Sequence, residues 1–300
     1  MRVYSSLDQI PNRRANTKKV TPGCLVLEGG AFRGLYTQGA LDAMMEHDIN
    51  VQTTIGVSAG ALSGLSYVSG QIGRSARINL HYRHNPEYIG LGAMVRDHGI
   101  TGFTFAFEDY DKIEPLDREA FDDPSRRFAA VATDIETGDP LFFERGQCSD
   151  TMKAIQASAT VPYISEPVEL DGHLCLDGGC SCPIPVDWAM DQRFEKILVI
   201  RTRDRDYRKT TPSPSLLIDR EYEKYPAFAE KLKTQLERYN ALADRLNELE
   251  REGRIFVLAP EEPITISRFE GDMEKLGALY WQGYREATAR MPELLSYFGD

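Results

Sequence analysis

Two stretches of this 300-residue chain carry residue types suited to acyl-transfer chemistry. Gly56-Val57-Ser58-Ala59-Gly60 sets a serine between glycines two positions away on either side. That spelling fits a sharp strand-to-helix turn that pushes the hydroxyl outward, where flanking side chains would collide. The dipole of the helix that follows favours negative charge developing at the serine. Chance alone would put such a pentapeptide in roughly one chain of this length in ten, so its weight comes from its strand–turn–helix context. Upstream lies a second glycine-rich turn, Gly29-Gly30-Ala31-Phe32-Arg33-Gly34, again between an expected strand and an expected helix. A loop of this composition can aim consecutive backbone N–H groups inward, as an oxyanion requires. It fails as a dinucleotide loop, because G-x-G-x-x-G needs glycine where Ala31 stands and an acidic residue closing the next βαβ unit.

A nucleophilic serine needs a base, most often histidine. The five histidines stand at positions 47, 81, 84, 98 and 173, with none later. His173 would be the base in a Ser…Asp…His order, yet it falls within a short expected strand, two residues before Cys175. Asp177-Gly178-Gly179 is the better candidate: a carboxylate at a strand end, held by glycines that let it approach another loop. A carboxylate is a weak base near neutral pH, so burial must raise its pKa for a Ser58–Asp177 pair to work well.

The elements that position these residues follow from apolar runs and periodicity. Residues 23–28 read as a buried strand, 35–47 as a helix, 51–57 as a second strand and 59–68 as a second helix, the βαβα opening of a parallel sheet. Strands are also expected at 128–133, 140–144, 174–176, 196–201 and 254–258, and a helix at 153–160. Phe228, Leu232, Leu236, Leu242, Leu246 and Leu249 mark one long amphipathic helix, and the last forty residues read as one or two more. Residues 1–20 read as a loose arm, and 72–125 hold no clear period.

Composition narrows the partners. With 46 acidic against 35 basic residues the net charge is −11, which speaks against nucleic acid and against attraction to anionic lipid. Any transient membrane-surface contact would be local and mostly apolar. No run approaches the length of a bilayer span, and the polar start lacks a signal-like stretch, so the expected location is cytoplasmic. Five cysteines in a chain of this size are expected as reduced thiols. His173 with Cys175, Cys180 and Cys182 matches no zinc spacing, so no metal is expected, nor any cofactor.

Three motifs in order, LEGGAFRGLYTQGAL, GVSAG and LDGG followed by PIP, with ASATVPYIS at 157–165 between the last two, resemble the patatin-like phospholipase family, and most closely its bacterial hydrolases. The similarity runs from about 23 to 258. The resemblance implies an α/β fold of three layers, α/β/α, around a mostly parallel sheet. It implies a Ser–Asp dyad with no histidine, with Ser58 as nucleophile and Asp177 as base. The oxyanion loop would be held by Gly29, Gly30 and Ala31, with Arg33 at its basic position. The substrate would be an acyl lipid or other ester. Ala31 departs from the family's usual glycine, and its methyl disfavours positive φ. An acyltransferase using the same acyl-enzyme, or a silent lipid-binding module, are the alternative functions; oligomeric state is not readable.

Other features read more simply. Arg33 is expected to pair with a carboxylate and steady its loop. The run 201–209 (RTRDRDYRK) reads as a solvated loop of mixed charge, and the helix through 228–249 as core packing. Phe103, Phe105, Phe107 and Tyr110 fit either an acyl-pocket cap or core. The expected organisation is an arm at 1–20, a catalytic domain at 21–262 and a helical extension at 263–300 packed on it.

Overall fold

The computed structural model describes residues 2–299. Eight strands build the central sheet: β1 (Thr21–Leu27), β2 (Val51–Val57), β3 (Arg127–Asp134), β4 (Pro140–Glu144), β5 (Val168–Leu170), β6 (His173–Asp177), β7 (Ile197–Ile200) and β8 (Phe256–Leu258). Their order is β8-β7-β1-β2-β3-β6-β5, with β4 also paired to β3. β8, β7, β1, β2 and β3 run parallel, while β4 and β6 pair antiparallel with β3, and β5 with β6.

The parallel strands are apolar along nearly their whole length because both faces are covered. Leu25, Leu27, Phe128, Ala130, Leu198 and Ile200 face one side, packed with α1 (Gly34–Glu46), α2 (Ala59–Val68) and α3 (Thr151–Ser158). Their neighbours Cys24, Val26, Ala129, Val131, Ile197 and Val199 face the other, covered by α4 (Val186–Asp191) and the helix that carries Leu246 and Leu249. The result is three layers, α/β/α, around a mostly parallel sheet, as the sequence motifs implied.

The amphipathic stretch over 228–249 forms two helices, α5 (Pro226–Lys233) and α6 (Gln235–Arg251), and not one. The break falls at Thr234, whose Oγ1 donates to the Glu230 carbonyl at 2.8 Å and so competes with the helical ladder. Phe228, Leu232, Leu246 and Leu249 are buried, so the stretch packs into the core. Two further helices, α7 (Met273–Ala289) and α8 (Met291–Phe298), end the chain.

Residues 2–20 are held against the body and are not loose. The Tyr4 N–H donates to the Leu80 carbonyl at 3.0 Å, and Ser5 donates to Glu274 from its N–H and from Oγ, each at 2.9 Å. Arg13–Arg14 pairs antiparallel with Gln71–Ile72. These ties link residues far apart in sequence, beyond the reach of local pattern.

α1 and α7 cross with their backbones in contact. A methyl on Gly39 would lie 2.0 Å from the Tyr280 carbonyl oxygen, and one on Gly283 would lie 2.0 Å from that of Tyr36. Around this crossing Tyr280 Oη donates to Asp42 Oδ2 at 2.8 Å and Tyr36 Oη to Glu286 Oε2 at 2.9 Å. Gly283→Ala should therefore force the helices apart and lower the unfolding free energy by about 1–3 kcal/mol or more. Urea denaturation checks this; an unchanged midpoint would show that the crossing yields at no cost. Among the described residues no helix is long and apolar enough to cross a membrane.

Candidate active site

The sheet register brings Ser58 and Asp177 together. Along β3, Val131 pairs with Val57 of β2, and the next residue, Ala132, pairs with Asp177 of β6. The ends of β2 and β6 therefore meet over consecutive residues of one strand, and Ser58 is the first residue past that end. Close approach explains the glycines. A methyl on Gly56 would sit 2.6 Å from the Ala61 nitrogen, one on Gly60 2.5 Å from the Leu27 oxygen, and one on Gly178 2.1 Å from the Val131 oxygen.

Ser58 occupies φ 55°, ψ −122°, a strained backbone for a non-glycine residue that throws its side chain clear of the turn. Its own N–H is held by Ser158 Oγ at 2.8 Å, from the end of α3. The Ser58 side chain acts on the Asp177 carboxyl, whose Oδ1 accepts the Gly179 N–H at 2.8 Å. Burial raises the Asp177 pKa above the usual carboxylate range; the bonds from Ser58 and Gly179 and the charge of Arg268 oppose that rise.

The glycine-rich loop is braced from beneath. Buried Glu28 accepts the Thr202 N–H on Oε2 at 2.6 Å and the Tyr239 hydroxyl on Oε1 at 2.7 Å, while Thr202 Oγ1 donates to the Gly29 carbonyl at 2.9 Å. Ala31 takes φ 49°, the left-handed region its methyl resists, at a cost on the order of 1 kcal/mol. The amides of Gly30, Ala31 and Ala59 donate to no acceptor among the described residues.

Two cavities meet at Ser58. The wider, about 440 Å³, is lined by Gly29, Gly30, Ala31, Arg33, Asp177 and Gly179 together with later residues. The narrower, about 100 Å³, is mainly apolar, with Leu62, Leu65, Ile78, Ile89 and Phe107 in its wall. Ser58, Ala31, Val161 and Phe269 border both. Phe32 and Ala59 line the narrower one, whereas Gly34, Gly56, Val57, Gly60 and Gly178 line neither and act through backbone packing. Of the aromatic cluster, Phe103, Phe105 and Tyr110 are buried and Phe107 reaches the narrower cavity.

No histidine borders either cavity. His173 Nδ1 is bonded to Asp134 Oδ2 at 2.7 Å, and four residues of strand put it about 13 Å from Asp177.

A model of the patatin-like phospholipase family matches residues 25–190. The chain belongs to this family. The similar curated proteins include the uncharacterized protein YjjU of Escherichia coli, 29% identical over 183 residues that cover 59% of this chain and 51% of that one. Another is the probable lipid hydrolase 463L of Invertebrate iridescent virus 6, 25% identical over 187 residues, 57% of this chain and 64% of that protein. This chain thus spans about half the length of the first of these relatives. Among solved structures, VipD from Legionella pneumophila superposes with a TM-score of 0.49 at 11% identity, over 90% of this chain and 67% of VipD. A second family model, a domain of unknown function (DUF6363), matches residues 225–299.

The patatin-like match ends before much of the cleft is built. Gln235, Tyr239, Arg268 and Phe269 line the wider cavity from within the 225–299 stretch, which also supplies β8. Two readings of basic residues are corrected here. Arg33 is buried and forms no salt bridge among the described residues, although Glu28 acts on it at longer range; its Nε has no hydrogen-bond partner. The run 201–209 is no solvated loop: Arg201 and Thr202 are fully buried, and Arg203, Tyr207 and Lys209 line the wider cavity. Glu28 and Ser158 stand within the sequence motifs, yet motif spelling alone does not mark their bracing roles. A carboxylate closing an apolar strand needs a buried partner, and that was the available signal for Glu28.

Proposed function

We propose that this patatin-like protein hydrolyses acyl esters of lipids through a covalent acyl-Ser58 intermediate, with Asp177 as the base. The observation that carries it is the Ser58 side chain acting on a buried carboxyl whose pKa burial has raised, where a narrower apolar cavity meets a wider one lined by several cations. Ser58 Oγ attacks the ester carbonyl carbon while its proton passes to Asp177. The resulting oxyanion meets the unengaged amides of Gly30, Ala31 and Ala59. Collapse breaks the carbon–alkoxide bond, and Asp177 returns the proton to the departing alcohol. Water then repeats the sequence on the acyl-enzyme, giving its proton to Asp177 and releasing the carboxylic acid.

The apolar cavity suits the acyl chain. Leu91, Val95 and Leu216, exposed by 77%, 82% and 88%, follow the lining residues Ile89 and Pro214 closely in the chain, which favours substrate taken from a lipid surface. The relative described as a probable lipid hydrolase points the same way. A fluorophosphonate should label Ser58 and no other serine, read by peptide mapping. An adduct elsewhere, or none on folded protein, would overturn the reading.

A further inference from the structure

Four cationic side chains converge on the wider cavity: Arg33, Arg203, Lys209 and Arg268. Some arginines elsewhere are paired with carboxylates, as in Arg77 with Glu114, Arg127 with Glu144 and Arg205 with Glu250, while others such as Arg126 and Arg201 are buried singly. Among the described residues none of the four forms a salt bridge, although Glu28 acts at longer range on Arg33 and Lys209, and Arg268 on Asp177. Glu28 and Asp177 are the only carboxylates among the cavity's described lining residues, and both are engaged, by Thr202 and Tyr239 and by Ser58 and Gly179.

Two of the cations are held by neutral groups. Arg203 donates from Nη1 to the Ile264 carbonyl at 2.7 Å and stacks 4.3 Å from the centre of the Tyr207 ring. Lys209 Nζ lies 4.8 Å from the centre of the Tyr239 ring. Arg33 is only 7% exposed, and its Nε is buried without a partner. Their mutual crowding is visible in their acidity. Burial, then the charges of Arg203 and Arg268, lowers Arg33 to about 10; burial, then Arg268, lowers Lys209 to about 8; the Glu28 carboxylate opposes both shifts. Arg33, the buried member, has no salt bridge among the described residues, which is costly, and a bound anion would offset that cost. The cavity offers no unengaged carboxylate to a quaternary ammonium.

We propose that this cavity is a subsite for the phosphate of the substrate's alcohol part, so that the enzyme favours acyl esters of phosphorylated alcohols with net negative charge over zwitterionic phosphocholine esters. Arg33, Arg203, Lys209 and Arg268 bind the phosphate, and the acyl chain lies on the opposite side of Ser58, in the apolar cavity. Arg268 comes from the 225–299 stretch, which gives the segment of unknown function a role in choosing substrate. The proposal rests on the acyl-hydrolase reading above.

The test compares 1-acyl-glycerol 3-phosphate with the phosphocholine ester of the same acyl chain. The expected kcat/KM ratio favours the anionic ester by about tenfold or more, and Arg268→Gln and Lys209→Gln each lower that ratio about tenfold, mainly through KM. Arg268 is exposed, so its variant keeps the fold. Calorimetry with glycerol 3-phosphate and with inorganic phosphate reads the subsite without turnover: glycerol 3-phosphate should bind, about tenfold more weakly to either variant. Tighter binding of inorganic phosphate, with no preference between the esters, would mark a free-phosphate site and overturn the substrate proposal. Equal or reversed preference in an enzyme that labels at Ser58 would overturn it too, leaving the hydrolase reading intact. Loss of labelling and of turnover on every ester would instead sink that reading, while glycerol 3-phosphate binding would still decide the subsite.

Discussion

Asp177→Asn should lower kcat on a chromogenic short-chain ester by about a hundredfold or more while leaving the protein folded. The amide keeps the size of the carboxylate and can still meet the Gly179 N–H and the Ser58 hydroxyl, but it cannot take the proton. Unfolding does not account for such a loss. The raised Asp177 pKa means that ionising it works against the folded state. Its favourable contribution is complete below the unfolded carboxylate value and disappears as pH rises through the folded one. At neutral pH the amide should therefore melt no lower than the parent. The same shift sets the pH profile. Only ionised Asp177 is a base, so kcat/KM should fall as pH drops through its folded pKa, with an inflection above the usual value of about 3.9. His173→Gln is the control, expected within a few-fold of the parent because its ring is committed to Asp134. A folded Asp177→Asn enzyme with near-parent turnover, or an inactive His173→Gln, would remove the dyad.

The parts of this site that were legible in the sequence are those fixed by contiguous residues. The Gly56–Gly60 spacing is dictated by contacts within one strand–turn–helix, and the apolar runs at 23–28 and 51–57 by burial on both sheet faces. Asp177 was legible for the same reason, since Gly178 must pass against Val131. What pattern could not reveal was what arrives from far along the chain. Glu28 is bound by residues 174 and 211 positions away, and the N-terminal segment is tied down by Glu274, 269 positions from Ser5. The basic run 201–209 looked solvated because local composition cannot say that β7 delivers it to the cavity that Ser58 lines. Arg33 looked paired because arginine usually is, and the commitment of nearby Glu28 to Thr202 and Tyr239 is a property of the assembled cavity.

Gly30→Val should reduce kcat by about 10²–10³-fold, corresponding to about 3–4 kcal/mol of lost transition-state stabilisation, with a far smaller change in KM. Gly30 has no room for a side chain: its Cβ would lie 2.7 Å from Thr202 Oγ1 and 3.2 Å from Thr202 Cβ. Thr202 cannot retreat freely, because it is fully buried, its N–H is bonded to Glu28 and its hydroxyl to the Gly29 carbonyl. The loop must therefore give way, and with it the aim of the Gly30 and Ala31 amides. An interaction made only with the oxyanion appears in kcat, whereas damage to the cavity walls would raise KM as well. Thr202→Ala separates the two causes. It removes the obstructing oxygen along with the brace, so adding Gly30→Ala to it should cost less than Gly30→Ala costs in the parent. Fluorophosphonate labelling of the Val variant should persist but slow, since Ser58 and Asp177 are untouched while the oxygen of the incoming phosphonyl group loses the same donors. A folded Gly30→Val enzyme with parental kcat would show that the loop only turns the chain and that the oxyanion is held elsewhere.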